Sequence, residues 1–204
     1  SIHQLPVLAV SGADADQRDD MVAVEEPLEL RIGFGAIRAR RQKSLSITMR
    51  TPGNDAELAV GFLFAEQVIS SREDVIDIVA ADVNENNVVR VELHPRVAID
   101  EKRLHREFLA TSSCGVCGKA YVEYLNLAGT PALPLAAPTV DYRTIISLPG
   151  KLRDAQDVFE TTGGVHAAGL FSPAGDQILV REDIGRHNAV DKVLGWRLMQ
   201  DRVP

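Results

Sequence analysis

TTGGVHAAGLFSPAGDQILVREDIGRHNAVDKVLGW, residues 161–196, decides the fold. Two runs, His166–Phe171 and Gln177–Arg181, flank a Ser-Pro-Ala-Gly-Asp turn and predict a pair of strands. A helix is predicted after them, with Val190, Val193, Leu194 and Leu198 on its buried face. Strand, turn, strand and helix in one short stretch read as the start of an α/β layer. The same stretch is dense in polar chemistry. Gly163 and Gly164 precede His166, and Arg181, Glu182, Asp183, Arg186, His187, Asn188, Asp191 and Lys192 crowd the strand end and the helix start. Any one of these charges reads as a solvated surface residue. As a cluster they read as a ligand site, because backbone N–H groups at a helix N-terminus favour an anion and an arginine such as Arg186 suits a phosphate or planar partner. The candidate binding residues are Gly163, Gly164, His166, Arg181, Asp183, Arg186, His187 and Asn188. His166 alone reads equally well as a satisfied core histidine.

Working outward, Tyr142–Phe159 is helical in pattern, interrupted by Pro149-Gly150. Residues 129–139 (GTPALPLAAPT) hold three prolines and read as a linker. Nearer the N-terminus, Leu28, Leu30 and Ile32 share one face of a strand, and Leu45–Met49 reads as a second strand ended by Thr51-Pro52-Gly53. Asn54 stands three residues before Glu57, a pattern like a capping box. It predicts a helix with Leu58, Phe62, Ala65 and Ile69 on one side. Val75–Ala81 and Val88–Leu93 read as strands joined by the polar loop 82–87, and Glu101–Ala110 as a helix. The basic run RARRQK (38–43) reads as a solvated turn, against the alternative of a contact for an acidic partner or a phosphate. The fold class is therefore α/β in two parts: a mixed sheet with helices over residues 1–140, and the start of a second α/β layer over 141–204. There is no internal repeat or low-complexity tract.

Bulk properties narrow the function. The chain has 204 residues, 45% of them apolar, enough to bury a core. Its formal net charge of −7 argues against a nucleic-acid binder held by phosphate contacts, while leaving room for a local basic pocket. No apolar run approaches a membrane span; LAVGFLFA (58–65) is the longest clear one. The first residues lack a basic segment ahead of their apolar stretch, unlike a signal peptide. They also lack a starting Met, so the natural start is expected upstream. Two cysteines in an otherwise cysteine-free chain do not resemble a secreted disulfide framework and point to a reducing cytoplasm.

Those two cysteines lie in TSSCGVCGKA (111–120), with Gly115 and Gly118 after them and Thr111, Ser112 and Ser113 before. Four readings compete. One is a nucleophilic or sulfur-carrying thiol, whose thiolate form is favoured by backbone donors or a nearby cation such as Lys119. Another is a thioredoxin-like redox pair, which should follow a strand, whereas the preceding residues look helical. A third is a zinc site, which needs two more ligands, with His166 and His187 to supply them. The fourth is a pair of inert buried residues, at odds with the loop-like flanks. Zinc nucleobase deaminases offer a related comparison, since they pair H-x-E with P-C-x-x-C. Here the tripeptide is His166-Ala167-Ala168, which lacks the glutamate, and the cysteines precede it.

Taken together, EEPLELRI (25–32), SITMRTPGNDAELAVGFLFAEQVI (46–69), TSSCGVCGKA (111–120), TTGGVHAAGLF (161–171) and REDIGRHNAVDKVLGW (181–196) resemble the FdhD family, the formate dehydrogenase accessory sulfurtransferases. The resemblance covers most of residues 25–196. It implies a sulfurtransferase that takes persulfide sulfur from a cysteine desulfurase and passes it to the bis-molybdopterin guanine dinucleotide cofactor, as cargo, before that cofactor enters the formate dehydrogenase apo-enzyme. Cys114 matches the family's persulfide-carrying cysteine and Cys117 its second motif cysteine. The resemblance also implies a cytidine-deaminase-like C-terminal layer that has lost its zinc ligands, so no structural metal is expected. Family members continue well past DKVLGW, so strands beyond Pro204, or a neighbouring chain in a homodimer, are expected to complete that layer. The rival expectation is a non-catalytic chaperone that only holds the guanine-dinucleotide cofactor and docks it. Neither nucleic acid nor membrane is an expected partner.

Overall fold

The computed structural model describes residues 1–80, 87–99 and 139–200. The chain opens with a long antiparallel hairpin, β1 (Ile2–Ser11) and β2 (Asp14–Ala23), in register from Ile2↔Ala23 to Ser11↔Asp14. Gly12 turns it in the left-handed region at φ 64°. Sequence patterning did not indicate these strands. DADQRDD, the first seven residues of β2, is polar throughout and exposed, so it carries no alternation to read.

Four further strands form a mixed sheet in the order β4-β3-β6-β5: β3 (Glu26–Phe34), β4 (Arg41–Arg50), β5 (Val75–Ala80) and β6 (Val88–Leu93). β3 pairs antiparallel with β4 and parallel with β6, while β5 runs antiparallel to β6. Leu28, Leu30, Ile32 and Phe34 alternate into the core with Val89, Val91 and Leu93. The opposite face carries Glu29 and Arg31 (2.6 Å) beside Arg90 and Glu92 (2.8 Å). The basic run proves to be structural at its centre. Arg40 donates to the carbonyls of Gly33 (2.7 Å), Gly35 (3.0 Å) and Leu93 (2.8 Å) and pairs with Glu92, so it ties the β3–β4 loop to the sheet. Arg41 lies over the Phe34 ring, 5.3 Å from its centroid.

Helix α1 (Asp55–Ala65) covers the apolar face. The expected capping box is absent. Asn54 is left-handed (φ 58°) with no side-chain cap, and only its carbonyl accepts, from the Leu58 N–H at 3.0 Å. The predicted buried side also needs correction. Leu58, Ala59, Val60, Gly61 and Leu63 are buried, while Ala65 is exposed. α1 packs against a second helix as well as the sheet, so it buries more than one stripe. Ile69 is buried (3% exposed) but lies beyond the helix, on a turn in which the N–H groups of Val68 and Ile69 return to the Leu63 carbonyl.

In the C-terminal part, α2 (Tyr142–Asp154) is capped by Asp141, whose side chain accepts the Arg143 N–H. It runs unbroken through Pro149-Gly150, where an interruption was expected. Pro149 forfeits one intrahelical bond, but α2 buries no residue completely, so the helix continues on the surface. A short α3 (Asp157–Thr162) ends at left-handed Gly163, φ 64°. Then β7 (His166–Phe171) pairs antiparallel with β8 (Gln177–Asp183), which runs past its expected end at Arg181.

The closing helix, α4 (Arg186–Met199), packs on α1, β7 and β8. Its buried residues are Asn188, Ala189, Lys192, Val193, Gly195 and Leu198; Val190, expected inside, is 48% exposed. α1 and α4 meet backbone to backbone. A Cβ on Gly61 would strike the Asp191 carbonyl, and one on Gly195 the Glu57 carbonyl. Among the described residues, no helix is long and apolar enough to cross a membrane.

Candidate functional site

The end of β8 and the start of α4 are held by a buried ion pair. Asp183 is 0% exposed and Lys192 2%, with Lys192 Nζ 2.7 Å from Asp183 Oδ2. Asp183 also accepts the N–H of Thr51 (3.2 Å), the N–H of Gly185 (2.8 Å) and Asn188 Nδ2 (2.9 Å). Lys192 donates to the carbonyls of Thr51 (3.0 Å) and Glu182 (3.3 Å). Asn188 Nδ2 reaches the Met49 carbonyl (2.8 Å), and Thr48 Oγ1 donates to Asn188 Oδ1 (3.2 Å). The Ile184 N–H closes the circuit on Thr51 Oγ1 at 3.0 Å. Removing two charges from water is costly unless their remaining hydrogen-bonding capacity is met, and here backbone and amide groups meet it. The result is a fixed junction between the Thr51-Pro52-Gly53 corner and the Ile184-Gly185 loop.

Arg181 is committed elsewhere. Its Nε and Nη2 grip Glu57 Oε2 (2.6 Å) and Oε1 (2.9 Å), tying β8 to α1. The hydrogen bonds to Glu57 hold Arg181 above its ordinary pKa. Arg186 and His187, by contrast, are exposed on the first turn of α4, Gly163 and Gly164 are exposed between α3 and β7, and His166 is exposed as the first residue of β7. His166 stands opposite Asp183 in the β7–β8 register, so the exposed start of one strand faces the buried end of the other.

The eight candidate binding residues thus separate by environment. Arg181, Asp183 and Asn188 have their polar groups engaged by protein; Gly163, Gly164, His166, Arg186 and His187 face solvent. Cys114 and Cys117 lie outside the described residues. Among the described residues, no group of three or more His, Cys, Asp or Glu is placed to hold a metal ion.

Sequence reading missed Thr51 and Arg50 as organisers. Arg50, 2% exposed, closes β4 by binding Asp55 (3.0 and 3.1 Å), Glu26 (3.3 Å) and Asn87 (3.0 Å). The available signal was a charged residue at an inward strand position directly before a Thr-Pro-Gly corner. Two carboxyl groups are displaced in opposite directions. Burial pushes Asp191 on α4, near Glu66, up to about 7. Burial also raises Asp74, but the Ser70 N–H, Arg96 and the Ser70 hydroxyl outweigh it and hold the group below its ordinary value.

Comparison with known proteins adds the rest. A sequence model described as the FdhD/NarQ family matches residues 23–203. The chain is 45% identical to the sulfur carrier protein FdhD of Mycolicibacterium paratuberculosis, over 97% of this chain and 72% of that protein. It is 42% identical to the sulfur carrier protein FdhD of Saccharolobus solfataricus, over 100% of this chain and 72% of that one. A crystal structure of a candidate formate dehydrogenase accessory protein from Desulfotalea psychrophila superposes with a TM-score of 0.70 at 22% identity, covering 98% of this chain and 70% of the other, which shows a shared fold.

Proposed function

Because the chain belongs to the FdhD/NarQ family, we propose that it is a sulfur carrier for formate dehydrogenase, taking persulfide sulfur from a cysteine desulfurase and delivering it to the bis-guanine-dinucleotide molybdenum cofactor. The observation that carries this reading is the family match over residues 23–203, which includes both cysteines, together with relatives named as sulfur carriers.

In the first step the Cys114 thiolate attacks the outer sulfur of the desulfurase persulfide. A new S–S bond forms on Cys114, the old one breaks, and the desulfurase cysteine leaves as a thiolate with the electron pair. The exchange needs no outside oxidant. In the second step the terminal sulfur moves to the substrate metal, which supplies the electron pair that makes it a sulfido ligand, and Cys114 returns to the thiolate. Cys117, three residues on, receives or shields the persulfide.

In this reading the exposed set Gly163, Gly164, His166, Arg186 and His187 meets the guanine-nucleotide arms of the cargo. The first turn of α4 offers N–H groups to an anion, and Arg186 offers a planar cation. Arg181, Asp183 and Asn188 hold that surface in place from behind. Two cysteines without a secreted-type disulfide framework fit a reducing cytoplasm, and a homodimer is the working form this reading assigns.

The test is peptide mass spectrometry after incubation with a cysteine desulfurase and cysteine. One added sulfur on Cys114, released by a thiol reductant and absent from Cys114→Ala, is the expected result. Sulfur on Cys117 alone reverses the assignment of the two cysteines. No sulfur on either one leaves a cofactor-holding chaperone as the surviving function.

A further inference from the structure

Two surfaces of opposite charge carry apolar side chains open to solvent. The first is the arm formed by β1 and β2. Its base is fixed where the Val24 N–H meets the Ser1 carbonyl (2.8 Å) and where β2 packs on α3. Farther out, the first seven residues of β2 are exposed, and on β1 Leu8 is 66% and Val10 69% exposed. Side chains alternate along a strand and share a face with their cross-strand partners, so Pro6, Leu8 and Val10 lie on one face with Asp19, Gln17 and Ala15. A two-stranded hairpin standing free in water is marginally stable at best. β2 also sets Asp14, Asp16, Asp19 and Asp20 against the single cation Arg18. Among the described residues none of the four meets a cation; Asp19 accepts the Gln4 amide (2.9 Å) and Asp20 the Met21 N–H (2.9 Å).

The second surface is the outer side of α2. Its inner side is taken by the β7–β8 hairpin, where Lys151 donates to the Gly175 carbonyl and Leu152 lies 3.0 Å from where a Cβ on Gly169 would stand. On the outer side Tyr142, Ile145 and Ile146 are each more than half exposed. With the exposed Pro149 and Arg153 they follow the spacing of a single helix stripe. α2 sets Arg143, Lys151 and Arg153 against Asp154. Among the described residues none of these cations meets a carboxylate. Arg143 lies over the Tyr142 ring (5.6 Å) and Arg153 over the Phe159 ring (4.0 Å).

We propose that the β1–β2 arm of one molecule lies across α2 of a second copy, whose own arm lies across α2 of the first, closing a reciprocal homodimer. Within one chain both surfaces stay open, so the match is made between copies. Their lengths agree. Leu5 to Ser11 extends about 20 Å at about 3.3 Å per residue, and the 13 residues of α2 span about 20 Å at about 1.5 Å per residue. Their charges agree as well, which matters because two molecules of net charge −7 otherwise repel. The arm docks by its face and not by its edges. Pro6 has no N–H to offer an added strand, and the aspartates of β2 repel one. Exchange of the same two surfaces in both directions is closed by a two-fold axis. The family match begins at residue 23, so nearly the whole arm lies outside it. The homodimer assigned with the sulfur-carrier reading thereby acquires an interface, and its assembly does not depend on the sulfur chemistry.

The experiment is sedimentation equilibrium of the whole chain and of two charge-reversed variants. The arm variant carries Asp16→Lys, Asp19→Lys and Asp20→Lys; the helix variant carries Arg143→Glu and Arg153→Glu. All five positions are exposed. The wild type should be a dimer that added salt weakens. Each variant alone sets like charges against each other at both contacts and should associate about a hundredfold more weakly. Mixed in equal amounts, the two variants should recover the dimer, because reversed arm then meets reversed helix and native arm meets native helix. If a charge variant does not fold, Leu8→Gln with Val10→Gln takes its place and should also weaken the dimer. Sulfur loading of Cys114, measured on the same wild-type sample, stands or falls separately. A monomeric wild type overturns the arm contact and the homodimer together. Variants that remain dimers, or a mixture that stays monomeric, overturn the arm contact and leave the homodimer to another surface.

Discussion

Arg181 and Glu57 meet as two parallel hydrogen bonds, Nε to Oε2 at 2.6 Å and Nη2 to Oε1 at 2.9 Å, joining a strand of the C-terminal part to the helix of the N-terminal sheet. A lysine keeps the charge but cannot present this planar fork. Arg181→Lys should therefore cost about 1–2 kcal/mol in denaturant unfolding, in keeping with charge-assisted pairing. Equal stability in the lysine variant would show that charge alone suffices there.

The Asp183–Lys192 pair should behave differently, because it is sealed from solvent. Lys192→Met leaves a buried carboxylate without its cation and should lower stability by about 3–5 kcal/mol. Adding Asp183→Asn should recover part of that loss, since the orphaned charge goes with it. A double variant that is the sum of its singles would mean the two residues act independently.

Gly61→Ala and Gly195→Ala test the backbone contact between the helices. In an exposed helix, alanine stabilises relative to glycine by about 1 kcal/mol. Here the added methyl meets the Asp191 or Glu57 carbonyl, so each variant should instead lose about 1–3 kcal/mol through overpacking. Thermal melts by circular dichroism give the sign directly, and a raised Tm for either variant refutes the close crossing.

Arg186→Ala separates binding from folding. The side chain is exposed and outside the buried network, so the unfolding midpoint should stay within about 0.5 kcal/mol of wild type. Guanine-nucleotide affinity should fall about tenfold in calorimetry, the loss of one charge-assisted contact. Unchanged affinity would move the nucleotide arms away from the start of α4.

Much of this was legible in the sequence wherever period-two alternation met a buried face. Leu28, Leu30 and Ile32 are of that kind, whereas the β7–β8 hairpin is marked by the turn between its two runs, since neither strand alternates in burial. What stayed hidden depends on what an element packs against. β2 has no apolar stripe over its first residues and reads as a loop. Val190 and Lys192 exchange their expected places because Asp183 and the Thr51 carbonyl wait at the lysine's position, a fact no helical wheel contains. The ligand cluster was visible as a cluster. Its division into supporting and exposed members required the contacts of Thr51 and Met49, more than 130 positions away in sequence.

The packing of α1 between its sheet and α4 also has a consequence for synthesis. The sheet that α1 covers is encoded early, but the helix that seals its other side begins only at Arg186. At about 5–20 residues per second, a ribosome needs on the order of ten seconds to travel from one helix to the other. Throughout that interval Val60, Gly61 and their neighbours are without their second cover. The nascent chain passes through a stage in which an apolar helix face is open to chaperones or to other chains, and it closes only when nearly the whole described sequence has been made.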